Sequence, residues 1–151
     1  TSGVYKPKPS VQTISNAMDV GNPSNWVRIQ DMFKDDPEQL PEMINGYSYT
    51  DAETSAAIEK IFSNYKYIVC PHTAIAWQAL KDWQQNQPTG KAAGVFLSTA
   101  HPCKFPDVLP KHISREIVIP AQVKELEGRQ RQAASLASDF ESFKKYLLDN
   151  K

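Results

Sequence analysis

The run AAGVFLST at 92–99 decides how this chain is read. It is continuous and apolar, with no polar alternation, and it ends in two hydroxyl residues, Ser98 and Thr99, ahead of Ala100, His101 and Pro102. A half-exposed strand alternates apolar and polar side chains. A continuous run fits instead a strand of a parallel sheet that is covered on both faces. Just upstream, Pro88-Thr89-Gly90 is a turn signal. Before it, Ile75, Ala76, Ala79, Leu80 and Trp83 recur at helical spacing, in a helix opened by His72 or Thr73. Before that helix, Tyr67-Ile68-Val69-Cys70 is a short run of β-formers stopped by Pro71, which predicts a buried strand. Strand, helix, strand is the order of an α/β fold, and a parallel pair needs a crossover of the length that 71–90 provides. A shorter strand is predicted at 115–119. So few parallel strands flanked by helices do not make a stable sheet, so completion by something else is expected.

The remaining segments read as helices and turns. Residues 1–10 are rich in turn formers and should be extended or irregular. Residues 11–20 mix β-branched and small residues and run into Gly21-Asn22-Pro23-Ser24-Asn25, a helix-start signal in which Asn22 or Ser24 can cap. Trp26, Ile29, Gln30 and Phe33 then predict a helix over 24–34, ended by Asp35-Asp36-Pro37. A short helix is expected within 37–45. Thr50 or Asp51 caps the next helix, with Glu53 or Thr54 in its first turn and Ala57, Ile58, Ile61, Phe62 and Tyr65 as its apolar stripe. Two C-terminal helices are expected near 121–127 and 138–149. The chain divides accordingly into 1–22, an extended segment and loop, 23–119, the α/β region, and 120–151, the C-terminal helices.

Composition narrows the function. The chain has 151 residues, the length of one domain, with 40% apolar and 23% charged residues, so a genuine core is available. Lys plus Arg and Asp plus Glu are each 17, for a formal net charge of zero. Nucleic-acid binders carry a basic excess, so a nucleic-acid partner is set aside. No apolar run reaches the roughly 20 residues that span a bilayer, so no membrane partner is expected. Cys70 and Cys103 have no metal spacing; a disulfide between them is possible in principle, but a pair of reduced cytosolic thiols is the favoured reading. The N-terminal residues have neither an initiator Met nor an apolar signal core, as if taken from the interior of a longer chain.

Three segments carry polar groups suited to chemistry. In open α/β sheets ligands sit beyond the carboxyl ends of strands, where Ser98 and Thr99 emerge. The same residues also suit a helix N-cap followed by a hydrogen-bonded His101, and local chemistry leaves both readings open. The stretch Ser15-Asn16-Ala17-Met18-Asp19-Val20-Gly21 is either a turn or a loop that brings backbone close to a ligand. His72, His101 and His112 show no metal or dyad spacing, and His72 reads as a capping or packing residue. Lys8, Lys104 and Lys111 are candidate phosphate contacts or solvated lysines. Trp26, Trp77 and Trp83 read as core or interface residues. A small hydrolase using Ser98 or Thr99 with His101 is disfavoured, because so short a separation places the pair badly for a triad.

Three strings together resemble the threonine synthase family in its longer, bacterial and fungal form: TISNAMDVGNPSNW at 13–26, CPHTAIAWQAL at 70–80 and FLSTAHPCKFP at 96–106. They occur in the family's order, and the resemblance is weakest over 120–138. It implies the tryptophan-synthase-β-like fold (fold type II), pyridoxal phosphate as cofactor, and conversion of O-phospho-L-homoserine and water to L-threonine and phosphate in the cytoplasm. The family's Schiff-base lysine, phosphate loop and most substrate contacts lie in the N-terminal half, whose motifs are not among these residues. The resemblance is therefore to the C-terminal portion only, with the N-terminal half as its partner and no catalytic residue expected here. It implies that the Thr99 hydroxyl faces the pyridine nitrogen, with Ser98 and Ala100 as neighbours. It also implies that Asn16, Ala17 and Met18 form a loop close to the cofactor ring; Asp19 is less firmly placed. The alternative is a noncatalytic relative that keeps this portion as a binding or interaction module.

Overall fold

The structure is a computed structural model and describes residues 5–16, 20–87, 92–130 and 132–150. The chain forms two compact units, Thr1–Val118 and Ile119–Lys151.

The first unit is organised by a helical hairpin. Helix α3 (Asp51–Tyr65) begins where Thr50 and Glu53 form a reciprocal capping box and ends at Lys66, whose φ of 52° is left-handed. Thr54, Ala57, Ile58, Ile61 and Phe62 give it one buried stripe at helical spacing. Tyr65, expected in that stripe, is exposed, because it closes the helix beside the left-handed turn. Helix α4 (Pro71–Gln85) starts at Pro71 rather than at His72 or Thr73, since a proline fits a first helical position where no backbone N–H is needed. It packs on α3. Val69, Cys70, Ala74 and Trp77 join the α3 stripe, and Phe105, Leu109 and Ile113 close the core from below. Leu109 and Ile113 flank the entry to the short helix α5 (Lys111–Ser114). Before the hairpin lie α1 (Trp26–Met32), a 3-10 turn at Pro37–Gln39 and α2 (Leu40–Met43). Asn25 precedes α1 without a side-chain cap, so neither Asn22 nor Ser24 has the role expected of it.

The buried face of α4 differs from the predicted one. Pro71, Thr73, Ala74 and Trp77 are buried, whereas Ile75, Ala76, Ala79, Leu80 and Trp83 are half-buried. Two layers cover this helix. Helix α3 takes one face, and the extended segment 92–98 lies against the other. The Gln84 side-chain amide donates to the Ala92 carbonyl at 2.8 Å. Gly94 sits so close to Leu80 that a Cβ there would lie 2.3 Å from a Leu80 methyl. The Thr73 hydroxyl donates to the Ser98 hydroxyl at 3.2 Å. These contacts ascend the segment as they descend the helix. Eleven helical residues from Thr73 to Gln84 cover about 16 Å. Six extended residues from Ala92 to Ser98 cover about 20 Å. The segment therefore runs antiparallel to α4, as the returning limb of a βαβ crossover does.

The predicted strands themselves are not formed. Residues 67–70, 92–99 and 117–119 have no regular secondary structure, and no strand occurs among the described residues. A strand exists only through a ladder of backbone hydrogen bonds to a neighbour. Here 92–99 has α4 beside it and no ladder partner among the described residues. The α/β reading is thus corrected to a helical unit with strand-like segments laid out as in an α/β crossover. The outward side chains show the consequence: Val95 is 90% exposed and Leu97 73%.

In the second unit, α6 (Ala121–Lys124) follows Pro120, and α7 (Phe140–Asp149) is capped by Asp139, whose carboxylate accepts from the Ser142 backbone N–H at 2.8 Å. That bond holds the Asp139 carboxyl below the usual carboxylate range. No helix among the described residues is long and apolar enough to cross a membrane. Cys70 and Cys103 are free thiols, Cys70 fully buried.

Candidate functional site

A cleft of about 470 Å³ opens at the carboxyl end of the segment along α4. Three stretches line it: Tyr67 and Ile68, residues 98–102, and residues 116–118. Ile68, Ala100 and Ile117 face both ways, lining the cleft and packing on the buried core. The lining is thereby tied to the buried core of the unit. The volume lies within the range of small-molecule and cofactor sites, about 300–1,000 Å³.

Three local devices set the polar groups of residues 98–101. The first is the start of α4. The Cys70 thiol and the Thr73 hydroxyl are 3.2 Å apart, and Thr73 also donates to Ser98. A hydroxyl has one proton and two acceptor sites, so with its proton on Ser98 the Thr73 oxygen accepts from the Cys70 S–H. The second is the alternation of an extended chain. Gly94 and Ser98 lie on the α4 side, so Val95, Leu97 and Thr99 project from the opposite face. The third is His101, which caps a 3-10 turn at Pro102–Lys104 by accepting the Cys103 N–H on Nδ1 at 3.2 Å. With Nδ1 as acceptor, the ring proton sits on Nε2. Neither Ser98 nor Thr99 caps a helix. His101 does, and Ser98 is instead engaged by the Thr73 hydroxyl.

The Thr99 hydroxyl has no hydrogen-bond partner among the described residues, and its side chain is exposed at the cleft. Among the described residues that line the site, Glu116 is the carboxylate and none is a lysine or arginine.

The structure therefore assembles Ser98, Thr99 and Ala100 with His101, and adds Tyr67, Ile68 and Glu116, which sequence reasoning did not single out. A signal for the first two existed in the run stopped by Pro71, which was read for burial alone. Asn16 is not among the residues lining the cleft. Its side-chain oxygen accepts from the Thr13 N–H at 2.8 Å and from the Thr13 hydroxyl at 3.0 Å. Next to it, the Ile14 N–H donates to Asp51 at the start of α3. Ala17, Met18 and Asp19 lie outside the described residues. Gly21 closes this loop on Lys8: a Cβ there would meet the Lys8 carbonyl oxygen at 2.3 Å. Lys8, Lys104 and Lys111 are exposed and away from the cleft lining. His72 packs on Phe105 with ring centroids 5.4 Å apart, and its Nδ1 is buried without a partner among the described residues. His112 meets Glu59 at 3.2 Å on the far side of α3. Trp77 is core, and Trp26 stacks on Tyr5 at 4.9 Å.

Comparison with known proteins identifies the chain's relatives. The family model described as "Threonine synthase, C-terminal" matches residues 73–147. Threonine synthase of Buchnera aphidicola subsp. Schizaphis graminum is 36% identical over 98% of this chain, which covers 33% of that protein. Threonine synthase of Haemophilus influenzae is 34% identical over 97% of the chain and is likewise covered over 33% of its length. The crystal structure of threonine synthase from Escherichia coli superposes with a TM-score of 0.73 at 33% identity, over 99% of this chain and 34% of that one. The chain thus spans about a third of the length of the curated relatives it matches. With its three strings, its crossover layout and the match of its whole length to one third of these proteins, the chain belongs to the threonine synthase family and corresponds to its C-terminal portion.

Proposed function

We propose that this chain supplies one wall of the pyridoxal-phosphate site of a threonine synthase, a cytoplasmic lyase converting O-phospho-L-homoserine and water to L-threonine and phosphate. The observation that carries the reading is the unpartnered Thr99 hydroxyl lining the cleft. Bound pyridoxal phosphate supplies the electron sink that lets phosphate leave the γ-carbon and water add at the β-carbon.

The residues of the chain suit the ring end of such a cofactor. Thr99 offers the pyridine nitrogen a neutral hydroxyl, which hydrogen-bonds it without holding it protonated as an aspartate would. Ser98 backs Thr99 from the opposite face of the segment. Ala100 keeps the lining small at this point, and Ile68 and Ile117 exclude water beside it. The phosphate end is another matter, because no lysine or arginine is among the described residues that line the cleft. The lysine, the phosphate-holding loop and most substrate contacts are assigned to the N-terminal half of the enzyme. That half is also the proposed completion of 92–99: strand partners along its edges, and a covering layer over Val95 and Leu97, would make it a doubly covered strand in the parallel sheet of fold type II. Asn16, Ala17 and Met18 are proposed as the loop over the ring.

Thr99→Ala tests the assignment. In a holoenzyme carrying this chain, the variant should retain cofactor, shift its absorption band and lower turnover by about tenfold or more, on the scale of one or two lost hydrogen bonds in a preorganised site. An unchanged band and unchanged turnover would remove Thr99 from the site.

A further inference from the structure

We infer that Thr73 is a positioning residue: through its hydrogen bond to Ser98 it fixes the register of 92–99 on α4 and so decides that Thr99, not Ser98, faces the cofactor. The consequence for the cofactor rests on the reading of Thr99 given above, whereas the register itself does not.

Thr73 is fully buried and polar, and it sits in the first turn of α4. A buried hydroxyl must find partners, and this one has Cys70 behind it and Ser98 in front. The bond to Ser98 is the last contact of the series that begins with Gln84 on Ala92 and continues with Leu80 on Gly94. The first binds a carbonyl, which every residue has. The second is apolar: a one-residue slip would set Ala93 or Val95 against Leu80, which the Leu80 side chain could accept only by shifting. Thr73 with Ser98 is the polar contact of the series that names a particular side chain, and it acts with the Gly94–Leu80 fit to distinguish one register from its neighbour. In an extended chain a one-residue slip exchanges the two faces completely. The neighbouring hydroxyl residues Ser98 and Thr99 make such a slip chemically plausible, since either can meet Thr73. The hydrogen bond is made to Ser98, so of the two hydroxyls lining the cleft that of Thr99 is the one left without a partner among the described residues.

The test compares Thr73→Val, Thr73→Ser, Ser98→Ala and the Thr73→Val/Ser98→Ala double variant. In this chain, nuclear Overhauser contacts between the Leu80 methyls and the Gly94 α-protons report the register. They should fall by more than half in Thr73→Val and in Ser98→Ala, fall no further in the double variant, and stay near their original strength in Thr73→Ser. In the holoenzyme, the variants that lose the contact should show the cofactor band shift of Thr99→Ala. Ser98→Ala alters an exposed side chain and decides the matter should Thr73→Val fail to fold. Full retention of the Leu80–Gly94 contacts in the folded variants would overturn the inference. Loss of those contacts with no band shift in any variant, Thr99→Ala included, would uphold the register role and refute the cofactor assignment instead.

Discussion

Glu53 shows how much one local sequence pattern fixes. Its carboxylate accepts the Thr50 backbone N–H at 2.7 Å and the Thr50 hydroxyl at 2.7 Å, while the Thr50 oxygen accepts the Glu53 N–H. These bonds, the backbone one foremost, hold the Glu53 carboxyl below its usual range. A carboxyl whose pKa is lower in the folded than in the unfolded chain stabilises the fold at neutral pH. Its contribution is complete above the unfolded value, about 4.3, and is lost as pH falls through the folded value. Thr50→Ala should therefore lower stability at pH 7 by about 1 kcal/mol, the ordinary value of an N-cap, measured by urea denaturation. The difference from the parent should shrink as the solution is acidified below the unfolded value. A pattern confined to Thr50 and Glu53 is legible because both partners lie within one helical turn. Thr73 was not legible in the same way. Its partner Ser98 lies 25 residues along the chain, and nothing local to either residue announces the other.

At the scale of elements, the helical hairpin is joined by a polar clasp at its open edge. The Tyr49 hydroxyl donates to Asp82 on α4 at 2.6 Å, and the Gln78 amide donates to the other Asp82 oxygen at 2.8 Å. Desolvation, followed by the adjacent Asp82 carboxylate, raises the Tyr49 phenol well above its ordinary pKa. Tyr49→Phe removes a hydrogen bond to a charged acceptor and should destabilise the hairpin by about 1.5–3 kcal/mol, read from the denaturation midpoint. A change below a few tenths of that would show the clasp to be solvated. The helices were legible because their spacing and caps are properties of contiguous residues. The strands were not. Residues 92–99 have the composition of a doubly covered strand, yet Val95 and Leu97 stand exposed, because a strand is a relation between segments and α4 covers only one face. The same two-sided environment explains the misplaced stripe of α4, whose Leu80 serves the extended segment while Trp77 serves α3.

For the whole molecule, the central claim is that this chain holds one wall of a shared cofactor site and not its lysine. The resemblance carried by three strings identified the portion of the family correctly, and the structure brought the three adjacent residues Ser98, Thr99 and Ala100 into one cleft. The charge of that cleft was not legible, since it depends on which distant residues fold around it. Among its described lining residues Glu116 is the one carboxylate and none is a lysine or arginine, which argues that the cofactor's phosphate is held from the other side. The most direct measurement is the intact mass of this chain after incubation with pyridoxal phosphate and reductive trapping with borohydride, followed by peptide mapping. The account predicts low labelling scattered over several lysines. A single stoichiometric adduct on one lysine would contradict it, and would show that the chain binds the cofactor covalently by itself.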